Sequence, residues 1–196
     1  SDTGYRLTTV ALEPPTTPVD LTRPVATPIG APTAVDGQRR PLDEDDLARV
    51  AVLGGVLACA DLVGVMAGTT QLAIDYVVQR HQYGRPVGSF QAVQHLLADA
   101  HTMTEGSRSA TQHAAWAVDE LPPDEAIAAV AVAKAYTARS ARIVCETSIQ
   151  AHGGIGNTWE CLAHVYLRRA LVSVDLFGDV DANLDRVLAH HGIGGN

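Results

Sequence analysis

The chain has 196 residues, 46% of them apolar but only 5% aromatic, and its 22 acidic and 14 basic side chains give a formal charge of −8. That length suits one good core, or one domain plus a piece of another. The acidic balance argues against a sequence-independent nucleic-acid binder, which needs a basic face, and neither a clean membrane-length apolar run nor a signal peptide is visible.

Residues 1–41 differ from everything after them. "YRLTTVALE" and "TRPVATPIG" alternate like strands, and most of the ten prolines fall here. Two or three strands without a partner sheet are marginal in water, so this stretch is expected to be the tail of another domain and its linker. Residues 42–196 are expected to form a second, helical domain. "PLDEDDLARV" places acidic residues in a first helical turn, where they cap the helix and complement its dipole. That helix should run to about Arg80. A second is expected after Ser89 and should stop before "LPPDE" at 121–125. The third opens on that acidic stretch and ends at Gly153; a fourth covers about Thr158 to Val174, and a short one Asp181 to His190. Long helices joined by short turns predict a mainly α fold, an antiparallel four-helix bundle preceded by a short β piece. The many Ala and Val residues suit it, because small side chains let helix axes approach.

Two segments carry unusual chemistry. "RHQYGRPVGSFQAVQH" at 80–95 interrupts the polar donors Arg80, Gln82, Arg85 and Gln91 with Gly and Pro. "QAHGGIGNTWE" at 150–160 sets Gln150 and His152 against three glycines. Each alone reads equally as a solvated turn between helices; neither is a Walker loop, nor a GxGxxG after a strand. His95, His101 and His113 share one helix, but no two are four apart, so no metal site is expected. Cys59, Cys145 and Cys161 have no CxxC pairing and are expected to be reduced, buried thiols of a cytoplasmic protein. From Ala51 to Ile74 the first helix carries a single charge, Asp61. A helix so apolar is a buried one, and its carboxylate needs a partner or a purpose.

Taken together, the two segments resemble the acyl-CoA dehydrogenase family. Its first motif, Arg-x-x-(Phe/Tyr)-Gly-(Arg/Lys)-x-(Ile/Val)-x-x-x-Gln, is matched at Arg80, Tyr83, Gly84, Arg85, Val87 and Gln91. Its second, Gln-x-x-Gly-Gly-x-Gly-x-x-x-Glu, is matched at Gln150, Gly153, Gly154, Gly156 and Glu160. The resemblance covers residues 42–190 and makes residues 1–41 the end of the family's middle β-domain, with the N-terminal helical domain missing. It implies a bundle that makes subunit contacts and binds FAD between subunits. Arg80 would then pair with the pyrophosphate and Gln91 bond nearby, with Gln82 beside them. Gln150, Gly153 and Gly154 would meet the adenosine half. The implied reaction is α,β-dehydrogenation of an acyl-CoA thioester in lipid or steroid side-chain catabolism. Its implied partners are other dehydrogenase subunits, in a homo- or hetero-oligomer, and an electron-transfer flavoprotein as acceptor.

The chain departs from the family at the catalytic base. Many members carry a Glu 27 residues after the motif Gln, and here that position is Phe177. A second group carries it 26 residues before the motif Arg, and here that position is Gly54. The remaining candidate is Asp61, in "ACADLVG", which resembles a stretch of bacterial relatives that also end in "LFGD". As a base on an apolar helix it is expected to have a raised pKa; the plainer reading is a carboxylate bonded to a neighbouring helix or subunit. With no base, this chain would be a non-catalytic subunit completing another chain's FAD site.

Overall fold

The computed structural model describes residues 4–14, 17–37 and 40–194. Strands β1 (Thr8–Leu12) and β2 (Pro28–Ala34) pair antiparallel, with an irregularity in register between Thr9 and Ala11. Every residue of both is exposed, as expected of strands without a covering layer. A bridge between Tyr5 and Leu42 joins this hairpin to the start of the helical part.

Helix α1 (Glu44–Gln79) begins as its acidic sequence predicts. The Asp43 carboxylate accepts from the Asp46 amide at 2.9 Å, and Asp46 reciprocates to the Asp43 amide at 3.1 Å, a capping box that satisfies two otherwise orphaned donors. A two-residue hairpin, β3 (His81–Gln82) and β4 (Arg85–Pro86), separates α1 from α2 (Gln91–Glu120). Helices α3 (Pro123–His152), α4 (Ala163–Ser173) and α5 (Val180–His190) follow. α1 and α3 pack together, each also meeting α2 and α4, while α5 lies against α3.

Small side chains set the spacing. Ala73, Ala114, Ala133 and Ala141 are fully buried. A Cβ on Gly55 would come within 2.7 Å of Val130, and one on Gly68 within 2.8 Å of Tyr166. α1 is therefore held against α3 and α4 at distances that larger residues would not allow. Leu62, Met66, Val144 and Cys145 fill the space between.

One expectation needs correction. α4 starts at Ala163 rather than Thr158, because residues 153–157 form a 3-10 turn that Thr158 closes by donating its hydroxyl to the Ile155 carbonyl at 2.8 Å. α1 is, by length and composition, apolar enough to cross a membrane, although Asp61, Thr69, Thr70 and Gln71 interrupt it. Its central place in the bundle accounts for that composition: 44% of its apolar 18-residue window is buried against other helices.

Candidate functional site

The end of α1, the β3–β4 hairpin and the end of α3 converge. Arg80 caps α1, its amide donating to the Tyr76 carbonyl at 2.8 Å. The hairpin then turns through Tyr83 (φ 52°) and Gly84 (φ 76°), the double left-handed step of a tight β-turn. Opposite, α3 ends at Gly153 (φ 66°), where only glycine is unstrained. Between them lies an open cavity of about 430 Å³ lined by Arg80, Gln82, Gln150, Gly153 and Gly154, together with Tyr76 and His152.

Five of the six cofactor residues expected from sequence are thus brought together. Gln91, the first residue of α2, is not among the lining residues; its amide lies 3.5 Å from His95. Tyr76 was missed, although its place one turn before Arg80 on α1 was a signal for it.

The cavity suits a nucleotide diphosphate. Among the described residues the Arg80 guanidinium has neither an ion pair nor a hydrogen bond, whereas Arg142 is engaged by Glu146 at 2.9 Å. Two helix C-termini meet here, and their dipole ends repel an anion. A phosphate would therefore be held by the guanidinium, whose planar fork matches it. A Cβ on Gly153 or Gly154 would meet nothing within 4 Å, so these positions open onto the cavity, while one on Gly156 would strike the Ile149 carbonyl at 2.8 Å. The glycine turn therefore does two jobs: Gly156 lets the chain pack on itself, and Gly153 and Gly154 leave room for a ligand.

Asp61 sits at a second centre, beside a cavity of about 540 Å³ lined by Ala60, Gly64, Val65, Leu162, Val165 and Tyr166. Its carboxylate takes Arg23 Nη2 at 2.6 Å, Arg169 Nε at 3.1 Å and Ser173 Oγ at 2.9 Å, with Arg169 Nη2 closer still. Arg169 also donates to Thr22, whose amide and hydroxyl donate to the buried Asp20. Two carboxylates thus face two guanidiniums, and the network fastens residues 20–23 onto α1 and α4.

The expected rise in the Asp61 pKa is corrected. Burial pushes it up, but the bonds from Arg169, Arg23 and Ser173 outweigh burial and hold the carboxyl below its ordinary range. Sequence reading missed Arg23 and Arg169 because they lie 38 and 108 residues away from Asp61 along the chain.

The two positions where relatives carry a base meet each other. A Cβ on Gly54 would lie 2.2 Å from the Phe177 ring. Phe177 has a left-handed backbone (φ 61°) and its turn is tied from three directions. Arg186 donates to the Phe177 carbonyl at 3.1 Å, while Asn183 and the buried Lys134 ammonium each donate to the Gly178 carbonyl at 3.0 Å. Among the described residues no group of three or more His, Cys, Asp or Glu is arranged to hold a metal ion.

Fold and site together define a helical bundle domain with an open cavity, lined by Arg80 and a glycine turn, at one end. The family description "Acyl-CoA dehydrogenase, C-terminal domain" matches residues 53–190, and the chain belongs to the acyl-CoA dehydrogenase family. It is 39% identical over 122 residues to acyl-CoA dehydrogenase FadE34 of Mycobacterium tuberculosis, covering 62% of this chain and 17% of that protein. It is 31% identical over 171 residues to acyl-CoA dehydrogenase IpdE2 of Mycolicibacterium smegmatis, covering 87% of this chain and 50% of that one. A chain of the ChsE4–ChsE5 complex from Mycobacterium tuberculosis superposes on all of this chain with a TM-score of 0.83 and 28% identity, over 51% of its own length. The chain thus spans about half or less of the length of these relatives.

Proposed function

We propose that this chain works within an FAD-dependent acyl-CoA dehydrogenase, and that its part is to complete the FAD site rather than to supply the base. The observation that carries the proposal is the cavity that joins an unpaired Arg80 to two Cβ-less positions at Gly153 and Gly154. Arg80 would hold the pyrophosphate, and Gln150 with the two glycines the adenosine half. Gln82 and Gln91 would bond alongside. FAD supplies the two-electron acceptor for oxidation of the thioester's α,β bond, with an electron-transfer flavoprotein as the next carrier. The partner-subunit role is supported by Phe177 lying on Gly54, which leaves neither familiar base position with a carboxylate. The ChsE4–ChsE5 neighbour is, by its name, a complex of two different proteins. Three buried, unpaired cysteines suit a reducing cytoplasm.

One observation favours a second reading, with Asp61 as the base: it lines the cavity of about 540 Å³, large enough for an acyl group. Visible spectra separate the two. The chain purified alone should be colourless and should acquire a flavin band when combined with a complementary dehydrogenase subunit. Bleaching of that band by acyl-CoA should survive Asp61→Asn. A stoichiometric flavin band on the chain alone, with bleaching abolished in Asp61→Asn, would establish the second reading instead.

A further inference from the structure

His152 is buried in the last turn of α3 yet lines the cavity that also holds Arg80, Gln150 and Gly153. Its ring is restrained on two sides. Nδ1 lies 2.7 Å from the Ser148 carbonyl. Because a carbonyl oxygen only accepts, Nδ1 carries the proton at that contact, and in the neutral form of the ring Nε2 is then a lone-pair acceptor. The imidazole also stacks on Tyr76, with centroids 4.6 Å apart and planes 27° from parallel. Ser148 is itself fixed, its hydroxyl donating across to the Thr69 carbonyl of α1 at 2.9 Å. Nε2 has no partner among the described residues and is not among the atoms sealed inside the protein. Since His152 lines the cavity, Nε2 is the ring nitrogen left for a ligand there.

This asymmetry has chemical content. Arg80 can only donate, which matches a diphosphate. An adenosine brings donors of its own, the exocyclic amine and the ribose hydroxyls, and these need an acceptor. A ring held by its own hydrogen bond and by a stacked tyrosine loses little freedom on binding. We propose that His152, locked as its Nδ1–H tautomer, is a specificity-determining contact that accepts a hydrogen bond at Nε2 from the adenosine half of the dinucleotide. This rests on reading the cavity as the FAD site.

The test uses the deflavinated assembly containing this chain, with ring-15N-labelled histidine and ADP as the probe. The His152 Nε2 resonance should be pyridine-like without nucleotide and should move toward the bonded position when ADP is added. His152→Phe keeps a ring to stack on Tyr76 but removes the acceptor. It should weaken ADP binding roughly five- to tenfold, the loss of about one hydrogen bond, with the melting profile preserved. Loss with ADP but not with inosine diphosphate would assign the donor as the amine, and equal loss with both would assign it as a hydroxyl. An unmoved resonance with unchanged ADP affinity in His152→Phe would overturn the proposal, while Arg80→Ala still weakens ADP binding. If Arg80→Ala also leaves ADP binding unchanged, the FAD-site reading has failed, and this inference with it.

Discussion

A single side chain can be tested against a matched control when two residues share chemistry but not surroundings. Arg80 and Arg142 are such a pair. Arg80→Ala should strip flavin from the assembly by removing a charge-assisted phosphate contact, while Arg142→Ala removes only an exposed pair with Glu146, worth about 0–1 kcal/mol. Flavin retained after gel filtration measures the difference, and equal loss in both variants would count against the cradle. Asp61 allows a pH test. Its folded-state pKa is depressed, so its contribution is fully present above its ordinary value near 3.8 and is lost as pH falls below that value. Asp61→Asn should cost about 1.5–3 kcal/mol at neutral pH, the scale of hydrogen bonds to a charged group. The gap in melting temperature from wild type should narrow as pH falls below about 3.8. A gap independent of pH would mean that the ion pairs do not form in solution. The sequence exposed Asp61 because it is a lone charge on an apolar helix. It could not expose the cage around it, because Arg23 and Arg169 are neighbours only after α4 folds back onto α1.

Elements act through how closely they approach, and the 174–178 turn shows this. The Phe177 ring occupies the space into which a side chain at position 54 would project. Gly54→Glu alone should therefore overpack α1 against the turn and destabilise by about 1–3 kcal/mol. Phe177→Ala makes room, so the double variant Gly54→Glu/Phe177→Ala should melt above Gly54→Glu. Calorimetry on the three variants decides it, and a double variant no more stable than Gly54→Glu would mean that the ring is not the obstacle. Helix limits were largely legible in the chain, since "LDEDD", "LPPDE" and "HGG" mark ends with local chemistry that holds in any fold. The start of α4 was not legible. "NTWECLA" has no proline to stop a helix, and the 3-10 turn prevails only because Gly156 and Thr158 pack back on Ile149 and Ile155. Phe177 was legible as a missing base but not as a plug, because the contact joins α1 to a turn 123 residues further along the chain.

At the scale of the whole molecule, the bundle leaves apolar surface uncovered. Along α1, Val50, Leu53 and Leu57 follow one another at spacings of three and four and face outward, Leu57 with 70% of its surface exposed. Near α4, Trp159 is 74% and Leu162 59% exposed. Contiguous apolar surface of this kind marks an interface rather than a solvated face. The formal charge of −8 works against indiscriminate association, so contact should form through the apolar face alone. We expect the chain to sediment as a dimer or larger species at micromolar concentration, or as a complex when its partner subunit is present. Because apolar burial drives that association, raising sodium chloride from about 0.1 to about 1 M, where the Debye length falls from about 10 to about 3 Å, should not dissociate it. Contacts between charges would weaken under the same change. Leu53→Glu/Leu57→Glu places two further negative charges on the exposed stripe while leaving the core contacts of Leu62 and Met66 untouched. That variant should sediment as a monomer with its helical circular dichroism unchanged. A wild-type chain that stays monomeric at micromolar concentration would remove the case for an interface here, and with it the expectation that this bundle forms its FAD site with a neighbouring subunit.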